Sequence, residues 1–94
     1  MAEKIPTGWK KDGKWLIRKM KFKTFIEAIG FVNIVSTVAE ETMHHPDIEI
    51  KNYNEVVLKT TTHEKNGLTD KDFELAARIN KLLNIKEYSK VRFF

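Results

Sequence analysis

Cysteine is absent from the chain, which excludes a disulfide scaffold, thiol catalysis and any zinc site built on thiolates. No glycine-rich phosphate loop and no Gly-x-Ser-x-Gly elbow occurs, so nucleotide hydrolysis and serine hydrolysis have no support. No apolar run approaches the ~20 residues needed to span a bilayer. The opening Met1-Ala2-Glu3-Lys4-Ile5-Pro6 lacks the apolar centre of a signal peptide, and a cytoplasmic, membrane-free protein is expected. Repeats and low-complexity segments are missing as well.

What is present suits one small globular domain spanning 1–94. Hydrophobic residues make up 41% and charged residues 32%, a balance that disfavours disorder. A chain this short buries a modest fraction of its surface, which makes self-association a reasonable expectation. The net charge of +4 is unevenly spread. Residues 1–23 hold eight of the seventeen Lys and Arg and two of the thirteen Asp and Glu, a local balance of +6 against −2 for the remainder. Such an arm could meet a polyanion. Without an aromatic stacking motif beside it, it reads better as a solvated strand face with lysines guarding an edge, and no nucleic-acid partner is expected.

Asp12-Gly13 is a hairpin-turn signal between Trp9-Lys10-Lys11 and a strand from Lys14 to Phe22. On that strand Leu16, Met20 and Phe22 share one face, interrupted by Arg18, while Trp15 and Ile17 lie on the other. Thr24 to Glu27 fits a capping box. The helix behind it carries one stripe of Phe25, Ala28, Ile29, Val32, Val35 and Ala39, with Phe31, Ile34 and Val38 as a second apolar flank for a partner subunit. It must stop near His44-His45-Pro46. Ile48 and Ile50 then mark a strand, Asn52-Tyr53-Asn54 a turn, and Val56 to His63 a longer β-branched strand. Thr69 to Asp72 opens a second helix with Asp in the capping-box position, and its stripe is Phe73, Ala76, Ala77, Ile79, Leu82 and Leu83. The end, Ile85 to Phe94, is left open: Val91-Arg92-Phe93-Phe94 either docks on a neighbour or frays. The order β-β-α-β-β-α predicts an α+β, two-layer fold, a four-stranded antiparallel sheet with both helices on one face.

All three histidines fall near element ends: His44 and His45 after the first helix, His63 at the end of the fourth strand. Glu40 shares a helical face with His44 if the helix persists that far. Asp72 lies in the first turn of the second helix, soon after the loop that follows His63. Imidazole suits proton transfer near neutral pH, and imidazoles beside carboxylates make an acid/base site. Each residue also has a plainer reading: a solvated histidine, a solvated Glu40, an Asp72 that only caps its helix. Zinc could use three histidines and a glutamate. However, His44 and His45 point apart on either a helix or a strand, and no His-Glu-x-x-His spacing exists, so no metal is expected.

The run Glu40-Glu41-Thr42-Met43-His44-His45-Pro46-Asp47 resembles the Glu-Lys-x-x-His-His-Pro signature of the pterin-4a-carbinolamine dehydratases. Thr62-His63-Glu64, Gly67-Leu68-Thr69 and Asp72 resemble that family's second block. Tyr53-Asn54-x-Val56, Phe22-x-x-Phe25 and Ala28-x-x-Phe31 are also similar to its pattern, so the likeness runs from about Trp9 to Leu83. Glu41 and Glu55 depart from it, each standing where lysine is common, which alters charge at the site mouth.

The resemblance implies the same four-stranded sheet, a homodimer or homotetramer, and no metal or bound cofactor. It implies a small-molecule pterin substrate, the 4a-carbinolamine of tetrahydropterin, and a quinonoid dihydropterin product. By the same likeness His63 and His44 are acid/base candidates, His45 binds and orients substrate, and Glu40 and Asp72 tune the imidazoles. Met43, His44, His45 and Pro46 with Thr61, Thr62, His63 and Glu64 would contact the flat ring. Two other readings stay open: a dimerisation or transcriptional-coactivator module, which should tolerate loss of the histidines, and a lyase acting on a different pterin.

Overall fold

The computed structural model describes residues 4–84 together with Arg92 and Phe93. Its elements are β1 (Lys10–Asp12), β2 (Trp15–Lys21), α1 (Phe25–Thr42), β3 (Asp47–Lys51), β4 (Glu55–Thr60), α2 (Asp70–Leu83) and a short β5 (Arg92–Phe93). A single 3-10 turn, His63–Lys65, lies between β4 and α2. The expected β-β-α-β-β-α order is present, and the strands form one antiparallel sheet in the order β1-β2-β4-β3. Arg92 and Phe93 pair with Lys21 and Met20, an edge that β1 leaves vacant because it ends opposite Ile17. The tail therefore pairs within its own chain at these two residues; the rest of the open segment, 85–91 and Phe94, lies outside the described residues, as do Met1–Glu3.

Strand alternation decides which face meets the helices. In register, Leu16 faces Thr60, Arg18 faces Leu58 and Met20 faces Val56. All six are buried on the helix side. The first hairpin turns one residue later than the sequence suggests. Asp12 pairs with Trp15, so the two turn residues are Gly13 and Lys14. Gly13 has φ +60°, and a two-residue hairpin turn with positive φ at its first central position favours glycine there.

Both helices open as expected, on capping boxes. Thr24 accepts from the Glu27 N–H at 3.1 Å, and Glu27 accepts from the Thr24 N–H at 3.1 Å. The buried stripe of α1 is Ala28, Phe31, Val35, Val38 and Ala39. This corrects the sequence reading, which placed Phe31 and Val38 on the flank and Phe25 and Ile29 on the inner stripe. Steps of three and four residues from Ala28 make one face, and the ring of Phe31 packs on Phe22 at 5.1 Å. Phe25, Ile26 and Ile29 are the exposed flank. In α2 the buried residues are Asp72, Leu75, Ala76, Ile79 and Leu83, so Ala77 turns outward and Leu75 inward. The stripe begins at a charged residue, which hid its phase.

The N-terminal segment is fastened to the far end of α2. Asn80 Oδ1 accepts from Trp9 Nε1 at 3.0 Å and also from Arg18 Nη1, while Asn80 Nδ2 donates to the Thr7 carbonyl at 2.9 Å. Arg18 Nη1 donates to the same carbonyl at 2.7 Å. Gly8, at φ +84°, lets the backbone cross the Arg18 guanidinium, whose Cζ would lie 2.5 Å from any Cβ there.

Removing Asn80 strips acceptors from two partly buried donors. Asn80→Ala is expected to lower unfolding stability by about 1–3 kcal/mol. Urea unfolding checks this, as a lower midpoint at an unchanged slope.

Candidate active site

Helix α1 stops because Met43 turns left-handed. Its φ is 54° and its N–H reaches back to the carbonyls of Ala39 and Glu40. The His44 N–H bonds the Ala39 carbonyl at 3.1 Å. The helix thus ends before His44, and the conditional Glu40–His44 face does not form. Instead, consecutive histidines diverge. His44 Nε2 lies 2.7 Å from Asp72 Oδ1, with the His44 side chain 11% exposed and that of Asp72 0%. His45 Nε2 lies 2.5 Å from Glu40 Oε2, with both side chains more than half exposed at 57% and 76%. A solvated pair of this kind adds little stability.

Asp72 is the centre of a saturated network. Oδ1 accepts from Thr60 Oγ1 at 2.6 Å besides meeting His44. Oδ2 accepts from Thr62 Oγ1 at 2.7 Å and from the Thr69 N–H at 2.9 Å. The helix-cap reading and the site reading of Asp72 hold together: one oxygen caps α2 and the other meets the histidine. Burial by itself would raise the carboxyl. The bonds from Thr60, Thr62, His44 and the Thr69 backbone outweigh it and hold Asp72 below the ordinary aspartate value. A carboxylate only accepts, so His44 Nε2 carries the hydrogen in this pair. That leaves Nδ1 as the ring atom available to exchange a proton with a bound molecule.

His63 sits elsewhere than expected. Strand β4 ends at Thr60, and Thr62 pairs with Gly67 across a tight loop, its N–H bonding the Gly67 carbonyl at 3.0 Å. His63 therefore opens the 3-10 turn rather than closing the strand. Its exposed ring meets neither carboxylate and stands edge-to-face with Trp15, centroids 5.9 Å apart. His44 and His63 are connected along a short path, His44 to Asp72 to Thr62, whose chain neighbour is His63. Thr61 donates to the Lys14 carbonyl, extending the β2–β4 pairing by a side chain. Met43, His45 and Glu64 are exposed, Pro46 is half-buried, and Thr61 and Thr62 are buried. No group of three or more His, Cys, Asp or Glu able to hold a metal ion occurs among the described residues.

Two contributors were missed in the sequence. Thr60 stands on the apolar face of β4 between Leu58 and Thr62, and a hydroxyl there signals a buried polar partner. Trp15 lies on the outer face of β2, as its alternation predicts, and no motif marks it.

The aspartate makes a pH prediction. Its folded value is depressed, so its stabilisation is complete above the unfolded value of about 3.9 and is lost as pH falls through the folded value. Asp72→Asn is expected to cost about 2–4 kcal/mol at pH 7, since an amide turns a donor toward groups that themselves donate. Urea midpoints across the acid range should show the gap between wild type and variant narrowing below about pH 4.

A family model described as pterin 4 alpha carbinolamine dehydratase matches residues 1–82. A relative from Thermomicrobium roseum, provisionally named pterin-4-alpha-carbinolamine dehydratase, is 48% identical over 82 residues, 87% of this chain and 86% of its own. The crystal structure of a transcriptional coactivator/pterin dehydratase from Brucella melitensis is similar at a TM-score of 0.74 and 35% identity, covering 81% of this chain and 82% of that one. A pterin dehydratase-like protein identified as a RuBisCO assembly factor in the alpha-carboxysome has a TM-score of 0.69 at 21% identity over 84% of this chain and 93% of its own, a likeness of fold alone. Sequence identity across most of the chain and a common backbone lead to one assignment: this chain belongs to the pterin-4-alpha-carbinolamine dehydratase family.

Proposed function

We propose that the chain dehydrates a 4a-hydroxytetrahydropterin to the quinonoid dihydropterin by histidine acid/base catalysis, in tetrahydropterin recycling. The observation that carries this reading is the His44–Asp72 pair at 2.7 Å, an imidazole held in one tautomer by a fully buried carboxylate. In the reaction the C4a–O bond breaks and the oxygen leaves as water with a proton from an acid. The N5 proton passes to a base, and the C4a=N5 double bond forms. No electrons are exchanged with a second reactant, so two proton-handling groups suffice. His44, through Nδ1, and His63 take these roles. His45, tethered to Glu40 at the exposed helix end, binds and orients the ring. Asp72 is a positioning residue, and backbone around Met43–Pro46 and Thr61–Glu64 contacts the flat pterin.

We further propose a homodimer or homotetramer that uses the exposed Phe25, Ile26 and Ile29 of α1. The same patch, and the coactivator description of the Brucella melitensis protein, favour a second reading as a protein-binding module. Light scattering decides the oligomer: a monomer at micromolar concentration removes that part. Among the described residues no helix is long and apolar enough to cross a membrane.

Stopped-flow dehydration of freshly made 4a-hydroxytetrahydropterin, in chelator, tests the activity. His63→Ala should lower kcat by about 10²–10⁴, the usual range for a lost general acid or base, while His45→Ala should act mainly on KM. Near-normal turnover by His63→Ala beside an inactive His45→Ala would overturn the roles. A folded wild type without acceleration would favour the binding module or a different pterin.

A further inference from the structure

We infer that Trp15 is the positioning residue for His63, doing by aromatic contact what Asp72 does for His44 by hydrogen bonding. This rests on the reading of His63 as a proton-transfer group.

His44 is fixed by a buried carboxylate and His45 by Glu40. His63 is exposed on a three-residue turn, and its ring meets Trp15 at 5.9 Å between centroids and 79° between planes. This is the edge-to-face geometry that aromatic quadrupoles favour. A pair of this kind biases rotamers by roughly three- to tenfold, enough to give an exposed imidazole one preferred orientation.

Trp15 is itself anchored. It opens β2 on the sheet face away from the helices, half-buried, and the Lys59 ammonium stands 4.6 Å from its ring centroid. The Thr61 hydroxyl on the Lys14 carbonyl fixes the distance between the start of β2 and the segment that enters the His63 turn. Lys14 Nζ donates to Asn66 Oδ1 at 2.7 Å, tying the far side of that turn to the same hairpin. Lys59, on the outer face of β4, and His63, in the turn beyond it, meet Trp15, while Thr60 and Thr62 bond Asp72. One five-residue segment thus supports the two histidines from opposite faces.

The test compares wild type, Trp15→Phe and Trp15→Leu by stopped-flow dehydration and by proton NMR of the histidine rings. A misplaced catalytic group loses rate without losing substrate affinity. Trp15→Leu should lower kcat by about tenfold or more with KM within about twofold, and Trp15→Phe should recover most of the loss. In wild type, nuclear Overhauser contacts should join the Trp15 and His63 rings, and the ring-current displacement of the His63 protons should vanish in Trp15→Leu. Unchanged kcat in Trp15→Leu, or a change confined to KM, would overturn the inference. So would absence of the Overhauser contact in wild type, which needs no variant to fold. A wild type that shows the contact but no turnover would remove the proposed function and the positioning role of Trp15 in it, so the two failures are distinguishable.

Discussion

The carboxylate of Asp72 is the point on which the rest of the structure turns. A buried charge is costly unless its lone pairs are filled, and here four donors fill them, from the segment after α1, from β4 and the residues that follow it, and from the N-cap of α2. The same carboxylate caps α2 with one oxygen and orients His44 with the other. Fold and candidate site are therefore coupled at this residue, and a variant here reads out both.

Strand geometry then distributes the remaining support. Thr60 and Thr62 reach the aspartate, while Lys59 on the opposite face of β4 and His63 in the turn that follows meet Trp15. One histidine is held in a desolvated, strongly electrostatic setting, the other in an open one by weaker dispersion and quadrupole forces. Imidazoles in such different surroundings differ in how readily each holds a proton, which is the basis of the separate roles proposed for them.

Much of this was legible in the residues. The element order, both capping boxes, the end of α1 before Pro46 and the divergence of His44 from His45 follow from local chemistry that sequence carries directly. The phase of α1 was misjudged because it is apolar nearly all round, so period alone could not say which side faced the sheet. The phase of α2 was misjudged because its inner stripe begins with a charge. The partners of the carboxylates could not be read at all. Whether Glu40 meets His44 or His45 depends on a single left-handed residue, Met43, and nothing in a methionine announces that conformation.

The donors to Asp72 are separated from it along the chain by 28 residues at His44, 12 at Thr60 and 10 at Thr62. Closing those loops precedes any return from the bonds they make. Half a network leaves a charge stranded, so partial assembly is penalised rather than rewarded. The orientation of His44 thus depends on complete assembly: a chain that has its sheet but not its second helix lacks Asp72 in place and holds no aligned imidazole, so the alignment of that ring reports complete folding.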